Sequence, residues 1–87
     1  MAHLSKVKFI PGDKAKESMK QRGLTFEQVA SAPVLAALPN PKYPNQLLLI
    51  IEIAGYTYAA PCERRGESWR IITAYPSRKH HKIYAKP

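Results

Sequence analysis

Arg70, Thr73, His80, His81 and Tyr84 crowd the C-terminal part of this chain and are interleaved with Arg64, Arg65, Arg78, Lys79 and Lys82. Guanidinium and ammonium groups hold phosphate oxygens, and imidazole, phenol and hydroxyl groups move protons. A cationic stretch alone implies binding of a polyanion. Cations mixed with titratable groups imply chemistry on one. Cleaving a phosphodiester requires a base, an acid for the departing oxygen, and cations for the charge on phosphorus. The stretch from Glu63 to Lys79 supplies such types in the order of a hairpin turn, a buried strand and a cationic tail.

Each candidate has a plainer alternative. Arg70 stands between Trp69 and Ile71, and an arginine in an apolar strand does not face a core unpaired. It either binds phosphate or forms a structural ion pair with Glu52 or Glu63. Alternation puts Arg70, Ile72 and Ala74 on one face of a strand and Trp69, Ile71, Thr73 and Tyr75 on the other. Arg70 and Thr73 therefore share a groove only if a bulge intervenes. His80 and His81 are adjacent and point in different directions, so they serve as an acid or base, or as surface groups, and do not form a metal pair by themselves. Tyr75 and Tyr84 either stack on a base or donate a proton, and Tyr75 has the plainer alternative of packing in the sheet. Trp69 reads as core and Cys62 as a small buried hydrophobe. His3 reads as part of a disordered terminus.

At 87 residues the chain is expected to form one domain spanning 1–87. A net charge of +8 points to a polyanionic partner. The single cysteine excludes an intramolecular disulfide and a thiolate zinc site, which suggests a reducing, cytoplasmic setting. The N-terminus lacks the apolar stretch of a signal peptide, and the longest apolar run, Leu47 to Ile51, is too short to span a bilayer. The six carboxylates are scattered, so neither a metal nor another cofactor is expected.

The elements that must position these groups follow from local signals. Val7 to Ile10 reads as a short edge strand. Pro11-Gly12-Asp13 opens a helix over Lys14 to Arg22, with Asp13 as N-cap and Gly23 beyond its C-terminal end. Thr25-Phe26-Glu27-Gln28 is a capping box for a second helix ending near Pro33, with Leu24 and Val29 as its hydrophobic staple. Leu38 to Gln46, with Pro39, Pro41 and Pro44, reads as a loop. Leu47 to Ile53, Tyr56 to Glu63 and Trp69 to Tyr75 read as an antiparallel meander, Pro61 marking an edge or a bulge in its second strand. Ser77 to Pro87 reads as a basic tail, either a short strand or a helical turn. The expected fold class is α+β, with two N-terminal helices packed on one face of a three- to four-stranded antiparallel sheet and the other face open.

Arg22-Gly23-Leu24-Thr25-Phe26-Glu27-Gln28-Val29, the turn Glu63-Arg64-Arg65-Gly66, and Arg70-Ile71-Ile72-Thr73-Ala74 together resemble the BrnT toxins of the RelE-like superfamily. The Thr73-Ala74-Tyr75-Pro76 end is also similar to colicin-D and contact-dependent-inhibition RNase domains. The resemblance implies a RelE-like domain, a metal-independent endoribonuclease serving as the toxin of a toxin–antitoxin pair. Its implied partners are RNA, free or ribosome-bound, and a cognate antitoxin protein in a hetero-oligomer, with no membrane. It carries over Arg70, Thr73 and Arg64 or Arg65. This chain departs from the pattern after Ala74, where Tyr75-Pro76 replaces Arg-Lys and the basic cluster begins later, at Arg78-Lys79-His80-His81-Lys82. The alternative is a non-catalytic basic module that binds nucleic acid or protein.

Overall fold

The computed structural model describes residues 8–85. Met1 to Val7, which include His3, and the last two residues of the basic tail lie outside them. In chain order the elements are β1 (Lys8–Pro11), α1 (Ala15–Gln21), α2 (Phe26–Ala30), β2 (Val34–Pro39), β3 (Gln46–Ile53), β4 (Tyr56–Arg65), β5 (Ser68–Ile71), β6 (Tyr75–Pro76) and α3 (Arg78–Tyr84). Six strands form one sheet in the order β1-β5-β4-β3-β2, with β6 also on β4. This corrects the expected architecture of two helices on three or four antiparallel strands. The described residues are mostly sheet, 44% strand against 24% helix, and include a third helix. The sheet is mixed, because β1 runs parallel to β5 in register from Lys8↔Ser68 to Pro11↔Ile71.

β2 is the strand without a local signal, and α3 resolves the basic tail in favour of the helical alternative. β2 is an apolar, alanine-rich run between Pro33 and Pro39, without the alternation that announces a strand. It closes against β3 with a register shift between Val34 and Ala36. α3 is a short run of Arg, Lys and His with no apolar stripe, and only its cap signals it: Ser77 Oγ accepts from the His80 backbone N–H at 3.3 Å.

The helix signals at the N-terminal end largely hold. Thr25 and Gln28 form both halves of the capping box, at 3.1 and 2.9 Å. Leu24 and Val29 are buried in one cluster. Gly23 adopts φ 74°, as the residue beyond α1 requires. Asp13 is not the cap of α1; Lys14 occupies that position without a side-chain bond. The β3–β4 turn passes through Ala54 at φ 53° and Gly55 at φ 81°, the doubly left-handed turn that matches strand twist.

Pro61 corrects a second expectation, for β4 is the central strand and not an edge. β4 pairs with β3 along its length. On its other side β6 meets Tyr58 and Ala59, and β5 meets Cys62 to Arg65. The Pro61 carbonyl accepts from the Ile72 N–H at 2.8 Å on that other side. A strand residue's N and carbonyl point the same way, so the donor that proline lacks falls in the interval between β6 and β5.

The two faces of the sheet are unequal. Leu49, Ile51 and Ile53 of β3, Ala60 and Cys62 of β4 and Ile71 of β5 join Ala15 and Met19 of α1 and Val29 of α2 in the main core. On the opposite face Ile50 and Ala59, each 0% exposed, lie outside that cluster. There α3 packs on β4, so this face is not left open. No helix among the described residues is long and apolar enough to cross a membrane.

Candidate active site on the third helix

α3 is seated by three hydrogen bonds to the middle of the sheet and to its own start. The Ser77 N–H donates to the Thr57 carbonyl at 3.0 Å. Thr57 Oγ1 bonds His81 Nδ1 at 3.0 Å, and Ser77 Oγ bonds His80 Nδ1 at 2.7 Å. Both hydroxyl residues are buried, Thr57 at 1% and Ser77 at 8% exposure, so each is a fixed post for an imidazole. The Tyr56 ring stacks on His81 with centroids 4.1 Å apart and an angle of 18°. Consecutive helix positions diverge by roughly 100°. His80 and His81 accordingly serve two different pockets on the flanks of α3.

The His81 pocket has a volume of about 380 Å³ and is lined by Glu52, Thr57, His81 and Tyr84, with Leu35, Gly55 and Ala85 completing it. Glu52 is directly opposite Thr57 across β3 and β4. Cross-strand partners of this kind have Cβ atoms about 5 Å apart. Glu52, Thr57, His81 and Tyr84 thus line one pocket in which the imidazole is tethered by one nitrogen, and the Tyr84 ring also lies 6.2 Å from that of His80. His81 Nε2 has no hydrogen-bond partner among the described residues. Arg78 and Lys82 are exposed on the same helix as His81.

The remaining candidates are dispersed. His80 and Lys79 line a second pocket of about 470 Å³. Arg70 lies opposite Glu63 in the β4–β5 register and donates to its carboxylate at 2.6 Å. Arg65 also reaches Glu63, at 3.2 Å, and Asp13 stands 4.0 Å from Arg70. The structural ion pair weighed for Arg70 is therefore formed, with Glu63 and not Glu52, and Arg70 borders a small pocket with Gly12, Asp13, Lys14 and Ile72. Arg70 Nε is buried with no partner among the described residues. Thr73 bonds Ser18 of α1 at 2.6 Å, on the helix-covered side. The strand expected over Trp69 to Tyr75 ends at Ile71, so Thr73 lies outside it and strand alternation does not govern where Thr73 stands relative to Arg70. Arg64 is exposed at the β4–β5 turn and donates its Nε–H to the Gly66 carbonyl.

Hydrogen bonding from Arg70, aided by the charges of Arg65 and Arg70, holds the Glu63 carboxyl below its ordinary value. A lowered folded-state value makes this carboxylate stabilising above the unfolded-state pKa, and the contribution is lost as pH falls through the folded value. Glu63→Gln is expected to flatten the acid limb of a stability-against-pH curve measured by urea unfolding. An unchanged acid limb would show that the pair does not couple to folding. Cys62 is buried with its thiol pushed up to about 12 by desolvation, which leaves it protonated and unsuited to nucleophilic work. Among the described residues no three His, Cys, Asp or Glu side chains gather as metal ligands.

Glu52 and Thr57 were not among the residues singled out as candidate catalytic groups. Their signal was available: Glu52 interrupts the apolar run Leu47 to Ile53, and Thr57 follows the turn at the matching distance. Their meeting with His81 depends on where α3 docks. Comparisons with protein families, curated proteins and solved structures find no match to this chain.

Proposed function

We propose that this protein is a metal-independent endoribonuclease whose reaction centre is the pocket formed by Glu52, Thr57, His81 and Tyr84. The observation that carries the reading is the convergence of a carboxylate and a tethered imidazole in one pocket beside a cationic helix. Glu52 takes the proton of a 2′-hydroxyl, whose oxygen attacks the adjacent phosphorus. The bond from phosphorus to the 5′-oxygen breaks, and His81 in its protonated form donates to that oxygen. The products are a 2′,3′-cyclic phosphate and a free 5′-hydroxyl. Thr57 and Tyr56 fix the imidazole plane, Tyr84 offers a hydroxyl to the phosphate, and Arg78 and Lys82 supply positive potential. The resemblance to BrnT-like toxins supports a place in a toxin–antitoxin pair, in which a cognate antitoxin would cover this basic face.

The test is cleavage of single-stranded RNA by purified protein in excess chelator. The expected result is cleavage at an unaltered rate with 2′,3′-cyclic phosphate ends, and binding that weakens steeply with salt as counterions are retained. Loss of cleavage in chelator, restored by magnesium, would sink the mechanism. A second reading, a non-catalytic basic binding module, is favoured by the commitment of Arg70 to Glu63 and of both histidines to buried hydroxyls. Salt-sensitive RNA binding without any cleavage would support it.

A further inference from the structure

The pocket on the other flank of α3 has its own chemistry. Its floor is apolar, with Leu38, Leu48 and Pro61, and its rim carries Asn40, Gln46, Lys79 and His80. The Asn40 side chain is oriented by a donor that has no alternative role: the Lys42 backbone N–H donates to Asn40 Oδ1 at 2.9 Å. Asn40 must then present its Nδ2–H, which donates to Gln46 Oε1 at 3.4 Å. That contact orients Gln46 in turn. Its Nε2 keeps two donors free, and its Oε1 keeps a second lone pair. His80 is tied through Nδ1 to Ser77, and Lys79 adds an ammonium group at the same rim.

An apolar floor with an oriented amide edge suits a flat group that needs both a donor and an acceptor partner. An ammonium at the rim suits a phosphate attached to that group. We infer that the pocket lined by Asn40, Gln46, Lys79 and His80 is a nucleobase subsite, which holds an unstacked base of single-stranded RNA next to the cleavage pocket. The inference deepens the RNA-cleaving reading and rests on it. His80 and His81 are neighbours in sequence, so a strand that crosses α3 presents a base to one flank and a phosphate to the other. Unstacked bases are the features of single-stranded RNA that proteins read through stacking and edge hydrogen bonds.

The test is a titration of isotopically labelled wild-type protein, followed by its backbone and side-chain amide resonances. The probes are the four nucleoside 5′-monophosphates, with ribose 5-phosphate as the control that carries sugar and phosphate but no base. The expected result is that at least one nucleotide shifts the side-chain amide signals of Asn40 and Gln46, and ribose 5-phosphate does not. Gln46→Leu should weaken that nucleotide about tenfold or more, the scale of a lost amide–base pair. Glu27→Ala should bind it unchanged, because Glu27 is exposed on α2, which packs on the other face of the sheet. Equal shifts with ribose 5-phosphate, or no shift at Asn40 and Gln46 with any nucleotide, would overturn the subsite. Nucleotide-specific shifts here, in a protein that does not cleave RNA, would instead uphold the subsite and remove the neighbouring reaction centre.

Discussion

Replacing His81 with alanine is expected to slow RNA cleavage by about 10²–10⁴-fold, the usual weight of one positioned acid or base. Glu52→Gln should produce a loss of the same order, because the amide keeps the shape of the carboxylate and cannot accept the 2′-hydroxyl proton. The double variant should be little worse than either single one if the base and the acid act together in one concerted step. His80→Ala serves as the comparison. Its imidazole is tied to Ser77 on the other flank of α3, so the chemical step should survive. Initial rates on a short fluorescent RNA, with folding checked by circular dichroism, measure all four proteins. Wild-type rates for folded His81→Ala would remove the pocket from the mechanism. A loss confined to His80→Ala would move the reaction centre to the neighbouring pocket.

The second large effect concerns the seat of α3. Ile50 is 0% exposed, on the sheet face where α3 packs on β4, and Met19 is 0% exposed in the core beneath α1. Truncating either one to alanine should cost about 2–5 kcal/mol, since each leaves a cavity that the sheet fills only in part. For a domain of this size that lowers the midpoint of thermal unfolding by roughly 10–20 °C or more. The two variants should differ in function. At a temperature where both remain folded, Met19→Ala should retain cleavage, because its cavity lies on the helix-covered side. Ile50→Ala should lose most of it, because the hydrogen bonds from Thr57 to Ser77 and His81 depend on how α3 meets β4. Melting curves combined with cleavage rates below the transition distinguish the two. Equal activity in both would show that the pocket tolerates a loosened α3.

The ion pair of Arg70 and Glu63 changes what an Arg70 substitution would mean. Arg70 is joined to β4 through Glu63 and leaves Nε buried without a partner among the described residues. A loss of activity in Arg70→Ala therefore has a structural route as well as a chemical one. The acid-limb measurement with Glu63→Gln separates them, because it reports the pair through folding and not through cleavage.

Local features were legible from residues close together in the chain. The capping box at Thr25 and Gln28, the glycine after α1, the turn at Ala54-Gly55 and the apolar run of β3 each depend on a few neighbours and a standard backbone conformation. Charge marked Ser77 onward as a basic segment, a short strand or a helical turn, and the structure makes it α3. What the chain order did not reveal was the pairing between distant segments. β1 joins β5 in parallel because α1 and α2 carry the chain to the opposite edge and the antiparallel run from β2 to β5 brings it back, and no short-range signal encodes that return. β2 is a strand because β3 offers it an unpaired edge, although its own residues do not alternate. The reaction pocket belongs to the same class. Glu52 and Thr57 belong to one hairpin and His81 to a helix more than twenty residues later, and they meet because the Thr57 hydroxyl and carbonyl, buried at the centre of the sheet, both need partners that only the start of α3 supplies.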